Sequence, residues 1–99
     1  MNEILNDIDS LKKLCEQHHV NQLFVFGSAL THEFNKCSDI DFLVKFSGVN
    51  QEEYFDNFLD FKERLESLFG RNVDLVEVQT LKNPILIRSI NRNKKLLYG

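Results

Sequence analysis

The chain has little of what would place it outside the ordinary globular classes. Its 99 residues include two cysteines, one proline and no tryptophan. Two cysteines make no disulfide framework, and no apolar run approaches the ~20 residues that span a bilayer. The N-terminal sequence also lacks the basic and apolar regions of a signal peptide. These absences favour a cytoplasmic chain without a membrane association.

A basic excess is absent too, since the formal net charge is −3. A broad basic face for direct binding to nucleic acid is therefore not expected. The hydrophobic content of 42%, with nine phenylalanines, is typical of a folded core. We expect one domain over residues 1–99, too small to combine a catalytic domain with a separate substrate-binding domain. A chain of this size could act as a subunit, together with a partner protein or with further copies of itself.

Hydrophobic periodicity predicts alternating helices and strands. The predicted helices are about Glu3–His18, a short one capped by Ser28, Gln51–Phe69 and about Ile85–Leu97, and the predicted strands are Leu23–Phe26, Ile40–Phe46 and Val73–Val78. Gly70 follows the long helix as a plausible C′ residue. The order α-β-α-β-α-β-α predicts an α/β (α+β) fold, with a small sheet flanked by helices.

Two acidic residues open the second predicted strand. Because side chains alternate along a strand, Asp39 and Asp41 project from one face while Ile40 points to the other. Adjacent carboxylates repel each other unless a cation lies between them, and a divalent metal is the usual solution. Gly27 and Ser28 end the first strand, where backbone N–H groups and a hydroxyl can bind phosphate. Metal and phosphate together indicate nucleotide chemistry.

A third carboxylate, Asp74, lies near the start of the third predicted strand. If that strand neighbours the second, Asp39, Asp41 and Asp74 converge at one end of the sheet. Three carboxylates attract oxygen-preferring cations such as Mg²⁺, and a pair of ions can clamp the attacking and leaving oxygens of a displacement at phosphorus. Asp39 and Asp41 would hold the ion on a triphosphate. Asp74 would complete the second site and help to deprotonate an acceptor hydroxyl.

These motifs resemble the signature of the DNA polymerase beta-like nucleotidyltransferase superfamily, and in particular its minimal nucleotidyltransferases (MNT type). The resemblance rests on Gly27-Ser28, on Ser38-Asp39-Ile40-Asp41 and on the later strand Asn72-Val73-Asp74-Leu75-Val76. It implies a small mixed sheet flanked by helices. It also implies that Gly27 and Ser28 bind the triphosphate of ATP and that Asp39, Asp41 and Asp74 are catalytic residues that hold two Mg²⁺ ions.

The resemblance further implies a biological setting. Many minimal nucleotidyltransferases are antitoxins of a HEPN-domain toxin, and similar members transfer AMP from ATP to a tyrosine of that toxin. Two alternatives remain open on the sequence. One is a non-catalytic antitoxin or nucleotide-binding module that neutralises its partner by covering it. The other is a catalytic subunit that modifies a small molecule, such as an aminoglycoside.

The sequence departs from the family pattern directly after Ser28. Family members commonly continue with an Arg-rich run, whereas this chain has Ala29-Leu30-Thr31-His32. The cation expected near the phosphates is therefore missing from this run, apart from His32. Arg88 or Arg92 of the basic last helix could replace it. Cations near a helix C-terminus are also favourable without any ligand, by a few tenths of a kcal/mol each.

Other polar residues are interpreted as structural. Cys15, His18 and His19 share a helical turn, but a structural zinc site needs four ligands and no fourth is apparent. We therefore expect Cys15 in the core and the two histidines at a helix end. Glu77 faces away from Asp74 by strand alternation and is predicted to be structural.

Overall fold

Four strands form one mixed sheet, in the order β3-β2-β1-β4. The computed structural model describes residues 2–27 and 39–99. In chain order the elements are α1 (Asn2–Asn6), α2 (Ile8–Gln17), β1 (Val20–Phe26), β2 (Ile40–Phe46), α3 (Gln51–Phe69), β3 (Val73–Glu77), a 3₁₀ turn (Val78–Thr80), α4 (Pro84–Asn93) and β4 (Lys95–Tyr98).

Strand β1 pairs antiparallel with both β2 and β4, whereas β2 pairs parallel with β3. A parallel pair needs a crossover connection, and the 19-residue helix α3 supplies it between β2 and β3. Inner strand β2 thus has β3 on one side and β1 on the other.

The two faces of the sheet are packed differently. Phe42 of β2 is fully buried beneath α3, where its ring lies 5.9 Å from that of Phe69. Phe24 and Leu43 point to the opposite face, where they line a cavity of about 240 Å³ together with Ile87 of α4. Residues that alternate with the buried core of β2 therefore face α4, and this is the face that carries the carboxylates.

The fold class is confirmed, since the structure shows a small mixed sheet flanked by helices. The predicted bounds of β2 and α3 are also confirmed. Gly70 ends α3 in the left-handed conformation, with a φ of 64°, and its N–H donates to the carbonyl of Glu66.

The N-terminal elements differ from the prediction in their bounds. The single predicted helix is divided at Asp7 into α1 and α2. Strand β1 begins at Val20 rather than Leu23, directly after His19, whose φ is 60°. Pairing of Val20 with Phe46 extends the strand across a register shift, which the local sequence pattern does not reveal.

The prediction of a last helix to Leu97 is wrong. Helix α4 ends at Asn93, and Lys95–Tyr98 forms a fourth strand against β1. Leu97 becomes almost fully buried in this strand, so a tertiary contact outweighs the helical pattern of the segment. Val78 likewise leaves the third strand and begins the 3₁₀ turn.

The lengths and charges of the helices in the described ranges bear on whether any of them could cross a membrane. The longest, α3, has Glu52 and Glu53 in its first turn. None of the helices within residues 2–27 and 39–99 is long and apolar enough to cross a membrane. The short helix predicted after Ser28 and the loop at Asn35–Ser38 lie outside the described residues.

Candidate active site

Gly27 lies at the end of β1, directly beside the second strand. The preceding residue, Phe26, is the register partner of Asp41. Gly27 has a φ of 72°, and a Cβ at this position would overlap the Oδ2 atom of Asp41. Both the backbone conformation and the close approach therefore require glycine. The turn that the sequence predicts to bind phosphate touches one of the predicted catalytic carboxylates.

Asp41 and Asp74 are register partners in the parallel pair of β2 and β3. Their neighbours Ile40 and Val73 are buried in the core, so the two carboxylates project from the opposite face of the sheet. Asp41 is half-buried and Asp74 is exposed. The condition on which the sequence argument depended, that the second and third strands are neighbours, is met.

Asp39 immediately precedes β2 and is exposed. The N–H of Ile40 donates to the carbonyl of Asn72 at 3.1 Å, which fixes the start of β2 beside the start of β3. Asp39 therefore lies at the same end of the sheet as Asp41 and Asp74. Ser28, the second predicted phosphate ligand, lies outside the described residues.

The donor set at this end of the sheet fits magnesium in type. Among the described residues, no group of three or more His, Cys, Asp and Glu side chains is placed to hold a metal ion. Mg²⁺, however, is usually bound by one or two carboxylates together with waters and substrate phosphates, not by a protein cage. The adjacent positions of Asp41 and Asp74 supply two carboxylates of this kind.

A groove of about 640 Å³ extends from Gly27 toward the last helix. The described residues that line it are Phe26, Gly27, Leu86, Ser89, Ile90, Arg92 and Asn93. The start of α4 is fixed by Asn83, whose side-chain oxygen accepts from the N–H of Ile85 at 3.0 Å. The local sequence pattern does not predict this groove, although a basic residue in the last turn of an amphipathic helix, Arg92, is a signal for one of its walls.

Cys15 and His18, which the sequence pattern assigns to the core and to a helix end, have structural contacts. Cys15 is fully buried, and burial raises the pKa of its thiol to about 12, with a smaller contribution from Glu16. The ring of His18 makes hydrogen bonds to the Leu14 carbonyl at 2.7 Å and to the Asp60 carboxylate at 2.5 Å. Both ring nitrogens of His18 are thus occupied in packing α2 against α3.

Glu77 is structural, as predicted. It is buried on the face of β3 opposite to Asp74, and its carboxylate accepts from the N–H of Gln79 at 3.1 Å. This contact begins the 3₁₀ turn that leaves the strand. Glu77 therefore does not belong to the acidic end of the sheet.

Solved structures share this fold, and two of them illustrate the similarity. One, designated a minimal nucleotidyltransferase, has a TM-score of 0.76 at 28% identity, over 93% of this chain and 90% of that one. The other is a chain from the complex of the tri-AMPylated Shewanella oneidensis HEPN toxin with MNT antitoxin. Its TM-score is 0.66 at 19% identity, over 96% of this chain and 71% of that one, which supports the fold alone.

Sequence comparison identifies the family. The protein adenylyltransferase MntA of Thermococcus cleftensis is 36% identical over 86 residues, which cover 82% of this chain and 84% of that protein. The family described as polymerase beta, nucleotidyltransferase matches residues 9–99, a span that contains Gly27, Asp39, Asp41 and Asp74. The chain therefore belongs to the polymerase beta nucleotidyltransferase family.

Proposed function

We propose that this chain transfers AMP from ATP to a tyrosine hydroxyl of a HEPN-domain toxin and thereby acts as its antitoxin. The observation that carries the proposal is the adjacent placement of Asp41 and Asp74 on one face of the sheet, with Gly27 against Asp41. The MntA relative is a protein adenylyltransferase, and the AMPylated HEPN toxin complex supplies the corresponding acceptor class.

In the proposed reaction the acceptor oxygen attacks the α-phosphorus of ATP. A bond forms between that oxygen and the α-phosphorus, the bond from the α-phosphorus to the bridging oxygen breaks, and pyrophosphate leaves. Asp74, the more exposed member of the pair, accepts the hydroxyl proton. Its position on β3 leaves it open to a side chain presented by a partner protein.

Asp39 and Asp41 would hold Mg²⁺ on the triphosphate, and Asp74 would contribute to a second ion. The bound metal would neutralise charge on the phosphates and on the leaving oxygen. The turn at Gly27 and Ser28 would bind the triphosphate through backbone N–H groups and a hydroxyl. Half-burial of Asp41 strengthens its attraction for a cation relative to a fully exposed carboxylate.

A second candidate is a non-catalytic antitoxin that covers its partner. The absence of an arginine from the run after Ser28 favours it, because the usual cation near the phosphates is missing there. The two candidates differ in whether a conservative change of the carboxylates affects neutralisation of the toxin.

The deciding experiment uses ATP labelled at the α-phosphate, Mg²⁺ and a lysate of the host. Wild type, Asp41→Asn, Asp74→Asn and Asp56→Asn are compared, the last being an exposed acid on α3 that controls for charge. We expect one labelled protein band with wild type and Asp56→Asn only, and mass spectrometry should place AMP on a tyrosine. Circular dichroism should give all four proteins the same fold.

Three results would contradict the proposal. Label on a low-mass acceptor would indicate a small-molecule nucleotidyltransferase. The absence of label with wild type would favour the covering antitoxin. Equal labelling by the Asp41→Asn variant would show that the paired carboxylates are not the reactive centre.

A further inference from the structure

The groove beside Gly27 is lined in part by an arginine and an asparagine of the last helix. Phe26 and Gly27 form the wall on β1, and Arg92 and Asn93 lie on the wall formed by α4. Because Gly27 also contacts the Asp41 carboxylate, the groove borders the acidic end of the sheet. Arg92 is therefore the described arginine that shares a cavity with the predicted phosphate-binding turn.

The structure distinguishes the two arginines that the sequence left as equivalent. Arg88 lies one helical turn before Arg92 and is exposed. It lines a separate, smaller surface depression on α4, together with Ile85, and it does not line the groove that contains Gly27. Arg92 borders both. The two residues thus have the same charge, the same helix and a similar exposure, but a different relation to the site.

The electrostatics of the site call for such a cation. Asp39, Asp41 and Asp74 give this end of the sheet three carboxylates, and a nucleoside triphosphate brings further negative charge. A guanidinium binds phosphate oxygens in a bidentate manner and stays charged at any relevant pH. The run that follows Ser28, Ala29-Leu30-Thr31-His32, contains no arginine or lysine that could supply this cation.

We propose that Arg92 binds the β- and γ-phosphates of the nucleotide and supplies, from the last helix, the cation that is missing after Ser28. This inference rests on the proposed function, because it takes a nucleoside triphosphate as the ligand. In the reaction, Arg92 contacts the two phosphates that leave as pyrophosphate. It neutralises the charge that develops on the leaving oxygen as the bond to the α-phosphorus breaks.

The test measures binding of ATP, pyrophosphate and AMP to the purified protein by calorimetry, in the presence of Mg²⁺. The variants are Arg92→Gln, Arg92→Lys and the matched control Arg88→Gln. We expect Arg92→Gln to weaken ATP and pyrophosphate binding about tenfold or more, the scale of one lost charge-assisted contact. Arg92→Lys should retain part of the affinity, and Arg88→Gln should bind as wild type.

AMP separates phosphate binding from a structural effect. AMP lacks the β- and γ-phosphates, so its affinity should be the same in wild type and in Arg92→Gln. A general distortion of the groove would weaken AMP binding as well as ATP binding, and it would lower the melting temperature. Either result would overturn the assignment of Arg92.

The outcome for Arg92 is distinguishable from the outcome for the proposed transfer. If Arg92→Gln binds ATP as tightly as wild type while Asp41→Asn abolishes labelling, the Arg92 inference is wrong and the transfer stands. If Arg92→Gln loses ATP binding while wild type labels no acceptor, the inference stands and the transfer is wrong. Wild type that binds neither ATP nor pyrophosphate would overturn both.

Discussion

Gly27 and Asp41 are in contact across the pair of strands β1 and β2, so that no side chain fits between them. Gly27 also has a positive φ of 72°, which favours glycine at this position. A phosphate held by the turn at Gly27 would consequently lie beside that carboxylate. The contact therefore links the two halves of the sequence motif in space.

Substitution of Gly27 by alanine should disturb Asp41 in addition to straining the backbone. The left-handed conformation costs a residue with a Cβ about 1–2 kcal/mol, and the new methyl group would displace the Asp41 carboxylate. We expect nucleotide transfer to fall about a hundredfold, the scale of a displaced catalytic group. The measurement is the rate of acceptor labelling together with urea unfolding.

Gly48→Ala is the matched control for this prediction. Gly48 has a φ of 78°, and no described atom beyond its chain neighbours lies within 4 Å of the place that a Cβ would take. An alanine there carries the same backbone strain without the collision. We expect Gly48→Ala to lose stability but to keep its transfer rate. Equal loss of activity in both variants would show that strain, not the contact with Asp41, is responsible.

The hydrogen bond between His18 and Asp60 should make the free energy of unfolding decrease as the pH falls into the acid range. The hydrogen bond from His18 lowers the pKa of Asp60 below its usual value, with a smaller contribution from Arg64. Because the pKa is lower in the folded state, this contribution to stability is present above the unfolded pKa of about 3.9 and is lost as the pH falls through the folded value.

Unfolding in urea at a series of pH values tests this dependence. Asp60→Asn should be less stable than wild type at neutral pH, and the difference should shrink as the pH falls below about 4. Asp56→Asn, an exposed acid on the same helix, should show no such convergence. A difference between wild type and Asp60→Asn that does not change with pH would contradict the assignment of the hydrogen bond.

The thiol of Cys15 should be protected in the folded protein. Burial raises its pKa to about 12, and the side chain is fully buried. Since the thiolate is the reactive form, little of it is present near neutral pH, and reagents do not reach it.

A Cys37→Ser variant isolates Cys15 for measurement with a thiol reagent. We expect labelling at least about a hundredfold slower in buffer than in denaturing urea, because both access and ionisation are restored on unfolding. The double variant Cys15→Ser/Cys37→Ser, which has no cysteine, serves as the blank in the same assay. Rapid labelling of native Cys37→Ser would contradict the buried position of Cys15.

The local sequence pattern was sufficient where an element carries its own signals. The alternating apolar residues of Ile40–Phe46 and the glycine after Phe69 mark β2 and α3 at the bounds that the structure shows. The pairing of Asp41 with Asp74 follows once β2 and β3 are known to be neighbours. That neighbour relation depends on the crossover of α3, which is a tertiary property.

Strand β4 and the groove could not be predicted, because their signals are not local. The four residues of β4 are too few to show a period, and they are stabilised by pairing with β1, which lies far earlier in the chain. Arg92 and Asn93 are related to Gly27 through the tertiary placement of α4, which lines one wall of the groove while the end of β1 lines the other. The sequence pointed to Arg88 and Arg92 as candidate cations, but it could not show which of them lies in the groove beside Gly27.

Strand β4, which lies where the sequence predicts the end of the last helix, allows a test based on two adjacent leucines. In β4, Leu97 faces the core and is 8% exposed, whereas Leu96 lies on the other face and is 47% exposed. Leu97→Ala should cost about 2–5 kcal/mol in the free energy of unfolding, as for other buried leucines. Leu96→Ala should cost less than about 1 kcal/mol, since little apolar area is lost from the core. Urea unfolding of the two variants compares one amino-acid change at adjacent positions. Equal costs would be inconsistent with the alternation of buried and exposed side chains along this strand.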